Sequence, residues 1–235
     1  MKILLIQIRK DKMKEHEYRC ILSGMQLSTD ELISYDMFER GGIKQSEIDK
    51  YDAVIVGGSG DFSVYDSSSL PFLDELKGAV RYCYEKNIPF LGICFGIQLA
   101  AVAFGGTVQK IPEQKEAGSF KIYLTAAGKN SPIFADMPDE FYAVTGHMDS
   151  VTALPASARL LAKSDLCPIH AFDFPEKKFF VFQFHPELDK NGLVERLTFY
   201  YKKGYARQDE IDDIVKNAHE APETKKILYN FKRMI

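Results

Sequence analysis

The chain lacks any uninterrupted apolar stretch near the roughly 20 residues that span a bilayer, so no membrane association is expected. The N-terminal run from Ile3 to Ile8 is followed at once by Arg9, Lys10, Asp11 and Lys12. It is too short and wrongly flanked for a signal peptide and reads instead as a first buried strand, so a cytoplasmic location is expected. Cysteine is sparse: Cys20, Cys83, Cys94 and Cys167 are scattered, with no CxxC pair and no metal-like spacing to a histidine. A reduced compartment, no structural metal and no cofactor are therefore expected. His16, His147 and His170 lack the i, i+4 partners of a helical metal site. A formal net charge of −3 gives no basic footprint, so no nucleic-acid partner is expected. Repeats at periods of 20 to 50 residues and low-complexity linkers are missing as well.

What is present is the composition of a globular protein, with 46% hydrophobic and 27% charged residues. At 235 residues the chain sits at the upper end of one domain. A single domain over 1–235 is expected, with a helical C-terminal extension from about residue 190.

The first half alternates short apolar runs with longer amphipathic ones, the signature of parallel strands joined by helices. Lys2 to Ile8, Leu32 to Asp36, Ala53 to Val56 and Pro89 to Ile93 are candidate strands. Leu73, Leu76, Val80 and Cys83 recur at spacings of three and four and mark a crossover helix. Beyond Thr107 shorter β-rich segments follow, at Lys121 to Thr125, Phe141 to Thr145 and Phe179 to Phe184, and these should extend the sheet with partly antiparallel strands. After Pro186 the pattern is helical around Leu193 to Tyr201, Glu210 to Ala218 and Glu223 to Met234. The loop-like stretch from Asp61 to Pro71 directly follows a strand, which makes it a site candidate, because open α/β sheets bind ligands beyond the carboxyl ends of their strands.

Three segments carry chemistry. In Pro89-Phe-Leu-Gly-Ile-Cys-Phe-Gly-Ile-Gln98 an apolar strand runs into a helical pattern through Gly92-Ile93-Cys94-Phe95-Gly96. This is the cysteine version of a nucleophile elbow, in which a sharp strand-to-helix turn projects the nucleophile. At a helix N-terminus the free N–H groups and the helix dipole favour thiolate over thiol. Acyl transfer by a thiolate also needs a base and a group to orient it. Phe184-His185-Pro186-Glu187 supplies both, following a β-prone run. In an extended segment residues two apart point to one side, so Glu187 can hold His185 in one tautomer. Val56-Gly57-Gly58-Ser59-Gly60 closes a strand with glycines that let main-chain N–H groups approach a substrate. The N–H groups of Gly58 and Phe95 are the expected oxyanion hole. The cluster has neither the spacing of a dinucleotide-binding GxGxxG nor that of a Walker loop.

These elements, in this order, resemble the class I glutamine amidotransferases, and most of all the free-standing members related to the amidotransferase domain of GMP synthase. Gly105-Gly106 after the elbow helix is similar too, and Thr145-Gly-His-Met-Asp-Ser-Val151 resembles an S-H-x-D-x-V segment of that branch. The resemblance runs from Met1 to about Asp189. It implies a flavodoxin-like three-layer α/β sandwich with a mostly parallel central sheet, and a catalytic triad of Cys94, His185 and Glu187. It also implies that Cys94 attacks a γ-glutamyl amide, forming a thioester and releasing ammonia, with Gly60, Gln98, His147, Met148 and Asp149 holding the substrate. Two departures stand out: Ser59 where many relatives have proline, and Gly146 in place of the serine.

No synthetase module is recognisable after Glu187. Three readings follow. The first is an amidotransferase that takes glutamine and passes ammonia to a partner synthetase. The second is a stand-alone hydrolase of γ-glutamyl compounds. The third is a non-enzymatic redox sensor using the elbow cysteine, and it has no use for the late His-Pro-Glu.

Overall fold

The computed structural model describes residues 1–202 and 208–235. The strands are β1 (Ile3–Gln7), β2 (Leu32–Asp36), β3 (Ala53–Val56), β4 (Phe90–Ile93), β5 (Thr107–Lys110), β6 (Glu116–Leu124), β7 (Glu140–His147), β8 (Asp149–Ala153), β9 (Arg159–Lys163), β10 (Ala171–Asp173) and β11 (Phe179–Phe182). The helices are α1 (Met13–Gly24), α2 (Met37–Arg40), α3 (Gln45–Ile48), α4 (Leu73–Glu85), α5 (Phe95–Ala103), α6 (Ala126–Lys129), α7 (Lys190–Lys202), α8 (Gln208–Asn217) and α9 (Thr224–Met234).

Nine strands form one sheet in the order β2-β1-β3-β4-β11-β10-β9-β6-β7, and β5 and β8 make a separate antiparallel ribbon. The first five strands of the large sheet are mutually parallel. From β11 onward the pairings are antiparallel. The order 2-1-3-4 with a fifth parallel strand is flavodoxin-like, so the mixed α/β architecture is the one the sequence implied.

Strands covered on both faces read as continuous apolar runs, because alternate side chains serve opposite layers. In β1, Leu4 and Ile6 point into a core shared with Leu76, Val80 and Ile97 of α4 and α5. Ile3 and Leu5 point into the other, shared with Ile21 of α1 and Ile227, Leu228 and Phe231 of α9. That produces the three layers. The C-terminal helices thus do two things: α9 closes a face of the sheet, and α7 meets the carboxyl edge where the chemistry gathers.

The helix that the pattern failed to mark is α1. Its inward residues Met13, His16, Glu17 and Ile21 have helical spacing, but two of them are titratable, so the stripe does not read as apolar. Among the described residues, no helix is long and apolar enough to cross a membrane.

Candidate active site

The parallel strands deliver their following residues to one edge in the order Arg9 after β1, the Gly57–Gly60 turn after β3, Cys94 after β4 and His185 after β11. This edge is where open α/β sheets place their ligands.

Cys94 stands between β4 and α5 with φ 54° and ψ −96°, a backbone state that side chains disfavour and that elbows impose on their nucleophile. Its N–H donates to Phe182 O at 2.7 Å, which pins the elbow to β11. The turn is this sharp because α5 packs directly against β3: a Cβ on Gly96 would lie 2.6 Å from Val56 O. Gly96→Ala is therefore expected to force α5 and β3 apart and to cost roughly 2–3 kcal/mol by urea unfolding. The Cys94 thiol is half-buried, 3.8 Å from Gly146 O and 3.8 Å from Gln183 Nε2. The other cysteines are different: burial first of all pushes the thiols of Cys20 and Cys83 up to about 12 and that of Cys167 to about 11.

β11 ends at Phe182, and His185 is fixed instead by its N–H on Val144 O of β7 at 2.8 Å. The side-by-side placement of His185 and Glu187 therefore comes from a turn, closed by Leu188 N–H on His185 O at 3.2 Å, and not from strand alternation as expected. His185 Nδ1 lies 2.8 Å from Glu187 Oε1, and the ring also hydrogen-bonds the Cys94 side chain. Arg196, from α7, places Nη2 3.0 Å from Glu187 Oε1 and Nη1 3.0 Å from His185 Nδ1. The carboxylate is the charged acceptor, so the Nδ1 proton belongs on Glu187.

Burial works against a charged His185, and Arg196 adds to that. Glu187, helped by the contact with Cys94, outweighs both and raises the imidazole above its ordinary value. Burial likewise opposes the Glu187 anion, but His185 and Arg196 hold it down at about 2. Arg196→Met is expected to raise the His185 titration further, read from its ring proton by NMR across pH. The same change leaves Glu187 with one cationic neighbour fewer and should cost roughly 2–3 kcal/mol of stability.

The glycine turn corrects an expectation. Gly58 N–H donates to Glu17 Oε1 at 2.8 Å, so this amide is engaged by a carboxylate and does not line an oxyanion hole in this structure. The missing Cβ atoms admit side chains of the protein itself: Glu17 Oε2 lies 2.5 Å from the Cβ position of Gly57, and Arg9 Nη2 2.7 Å from that of Gly58. Glu17 also accepts from Gln7 Nε2 at 3.1 Å and Arg9 Nε at 3.3 Å. Phe95 opens α5, so its N–H has no partner within the helix. Gly60 has φ 70° and sits under Arg9 and the Tyr200 hydroxyl.

Of the residues expected around a substrate, Gln98 is buried, with Nε2 donating to Asp149 O at 2.9 Å and to Gln183 Oε1 at 3.3 Å. The Asp149 carboxylate accepts from Ser63 Oγ at 2.7 Å and Tyr65 Oη at 2.6 Å, which ties the 61–71 loop to the site's rim. Met148 is half exposed, at 50%. His147 turns inward, away from Cys94: Nε2 lies 3.2 Å from Glu116 Oε2 and Nδ1 3.2 Å from Asp149 O.

Behind His147 the chain brings together three groups that the sequence kept apart. The ligand atoms of His147, Cys167 and His170 lie within 4.8 Å of one another, all buried. Glu116 fills the centre of this group. It accepts from Ser164 Oγ at 2.6 Å, and His170 Nε2 stands 2.8 Å away without hydrogen-bond direction. Burial opposes the Glu116 anion, yet the bonds from His147 and His170 bring it down to about 2.

Sequence reasoning missed Arg9, Glu17, Gln183 and Arg196. The three charged ones look like solvated positions in a one-dimensional pattern. The available signal was Glu17 and His16 on the inward stripe of α1, legible only once that helix is placed.

The family profile described as Glutamine amidotransferase class-I matches residues 24–199. A free-standing, glutamine-hydrolyzing GMP synthase subunit of Methanococcus maripaludis is 40% identical over 137 residues, covering 57% of this chain and 70% of that protein. GMP synthase (glutamine-hydrolyzing) of Lactobacillus delbrueckii subsp. bulgaricus is 37% identical over 149 residues, and the match spans 62% of this chain but 27% of that protein's length. A glutamine amidotransferase from Thermotoga maritima superimposes with a TM-score of 0.77 at 22% identity, covering 99% of this chain and 96% of that one. An elbow cysteine, a late His-Pro-Glu and a profile match across three quarters of the sequence agree: this chain belongs to the class I glutamine amidotransferase family.

Proposed function

We propose that the chain hydrolyses the side-chain amide of glutamine with Cys94, His185 and Glu187 as its triad, and delivers the ammonia to a separate synthetase subunit. The observation that carries this reading is the unbroken contact from Cys94 through the His185 ring to Glu187 at 2.8 Å. A raised His185 favours the imidazolium beside the thiolate, which keeps a proton ready for the departing nitrogen.

Sγ attacks the amide carbon, and the carbonyl electron pair moves to oxygen. When the pair returns, the C–N bond breaks, and His185 gives its proton to the nitrogen that leaves as ammonia. His185 then takes a proton from water, whose oxygen attacks the thioester and releases glutamate. Gln98, Gly60 and the segment His147 to Asp149 are proposed to surround the glutamine, with Gln98 and the backbone of Asp149 fixed to each other at 2.9 Å. The partner is proposed from the relatives named as individual subunits of a glutamine-hydrolyzing GMP synthase. A single domain over 1–235 fits this role.

The test is glutamate release from glutamine and, in parallel, from a γ-glutamyl dipeptide, with and without the synthetase subunit of a GMP synthase. Faster glutamine cleavage when that synthetase is added supports the proposal. Preference for the dipeptide replaces it with a stand-alone γ-glutamyl hydrolase, and cleavage of neither donor under any condition removes both.

A further inference from the structure

The geometry points to Arg9 as the group that stabilises the oxyanion during acyl transfer, in the place that the amide of Gly58 was expected to fill. This rests on the reading of Cys94 as the acyl-transfer nucleophile.

The guanidinium lies over the glycine turn on the strand next to Cys94. Its Nη2 is 2.7 Å from the Cβ position of Gly58, and that same position is 3.5 Å from His185 Cε1. Nη1 is 3.1 Å from the Cβ position of Gly60. Only glycine at 58 allows a guanidinium to approach so closely, and it brings the charge beside the triad. Arg9 is 3% exposed, so solvent does little to weaken its field. Its charge is felt at Cys94, although Glu17 has the larger influence on it.

The guanidinium is also held still. Nε binds Glu17 at 3.3 Å and Nη1 binds the Tyr200 hydroxyl at 3.0 Å, so the fork is oriented through two of its nitrogens while Nη2 faces the turn. Glu17 is fixed in turn by Gln7 Nε2 and by Gly58 N–H. Donors fixed before the reaction need no reorganisation when charge develops, which is what makes such a site effective. Glu17 thus removes one neutral donor from the hole and anchors a charged one.

In the step itself, Sγ forms the C–S bond and the carbonyl pair moves to oxygen. The resulting oxyanion accepts from Arg9 Nη2 and the N–H of Phe95. As the pair returns, the C–N bond breaks and the nitrogen takes the His185 proton. Arg9 keeps all its protons throughout.

The experiment measures kcat and KM for glutamine in the wild type, Arg9→Lys, Arg9→Ala and the double variant Arg9→Met/Glu17→Gln, which removes both charges together and leaves no lone buried ion. Thermal melts establish which variants are folded. Arg9→Ala and the double variant should lose about 100-fold or more in kcat with KM changed less than about threefold. Arg9→Lys should lose less, and guanidinium ion at tens of millimolar should restore roughly tenfold or more of the Arg9→Ala loss while leaving wild type unchanged. Folded variants that turn over at the wild-type rate, or a loss that guanidinium does not recover, overturn the assignment. So does a Glu17→Ala variant faster than wild type, which would return the role to the Gly58 amide. If the wild type cleaves nothing while its Cys94→Ala form is equally silent, the reading beneath the proposal fails instead.

Discussion

Cys94→Ala is expected to lower glutamine hydrolysis by a factor of about 10⁴ or more, because removing the nucleophile removes the covalent route altogether. The elbow backbone does not depend on the thiol: it is held by the Cys94 N–H on Phe182 O and by the packing of Gly96 on Val56. The variant should therefore melt within about 0.5 kcal/mol of the wild type, as expected for trimming one half-buried atom. Cys94→Ser should be nearly as inactive, since a hydroxyl beside His185 is a far weaker nucleophile than a thiolate. Steady-state release of ammonia with a matched thermal melt checks both parts. Activity in the alanine variant above a hundredth of wild type sinks the triad.

A steep loss of stability between about pH 4.5 and pH 2 is the second large effect. Glu116 and Glu187 have an ordinary value of 4.5 and are both held at about 2 in the fold. Their stabilisation is thus fully present above about pH 4.5 and disappears as the pH falls toward 2. Each is worth roughly 3 kcal/mol of linkage. His185 has the opposite sign: raised from 6.5, it stabilises the fold below that pH and loses this contribution as the pH rises through its folded value. Urea unfolding from pH 2 to 7 should show the acid limb, and Glu116→Gln should flatten it by about half. Glu116 is the cleaner test because its hydrogen bonds to His147 and Ser164 lie away from the nucleophile. An unchanged slope in that variant would mean the buried carboxylate is not the acid-sensitive group.

The parallel half of the fold was readable because its strands are uniformly apolar and its crossover helix α4 has a clean stripe. Cys94, His185 and Glu187 were readable because an elbow and a late His-Pro-Glu are local motifs. What escaped is what depends on distant residues. Glu17 and Arg9 look solvated along the chain, and only the docking of α1 under the Gly57–Gly60 turn reveals that they fill the space the glycines leave. Arg196 is equally silent until α7 crosses the carboxyl edge and sets its guanidinium against Glu187. His147 was assigned to the substrate from its neighbours in sequence, yet its ring faces Glu116, a partner 31 residues away on β6.

The glycine turn, Cys94 and the approach to His185 follow β3, β4 and β11, three strands that lie side by side in the sheet. Their lateral separation is then inherited from the backbone ladder, whose spacing is about 4.8 Å from strand to strand. Insertions in the long connections between these strands can accumulate while the reacting groups keep their distances. A one-residue deletion within Phe179–Phe182 would be far more damaging than its size implies. It would carry the following His185 to the opposite face of the sheet and leave every other member of the site intact.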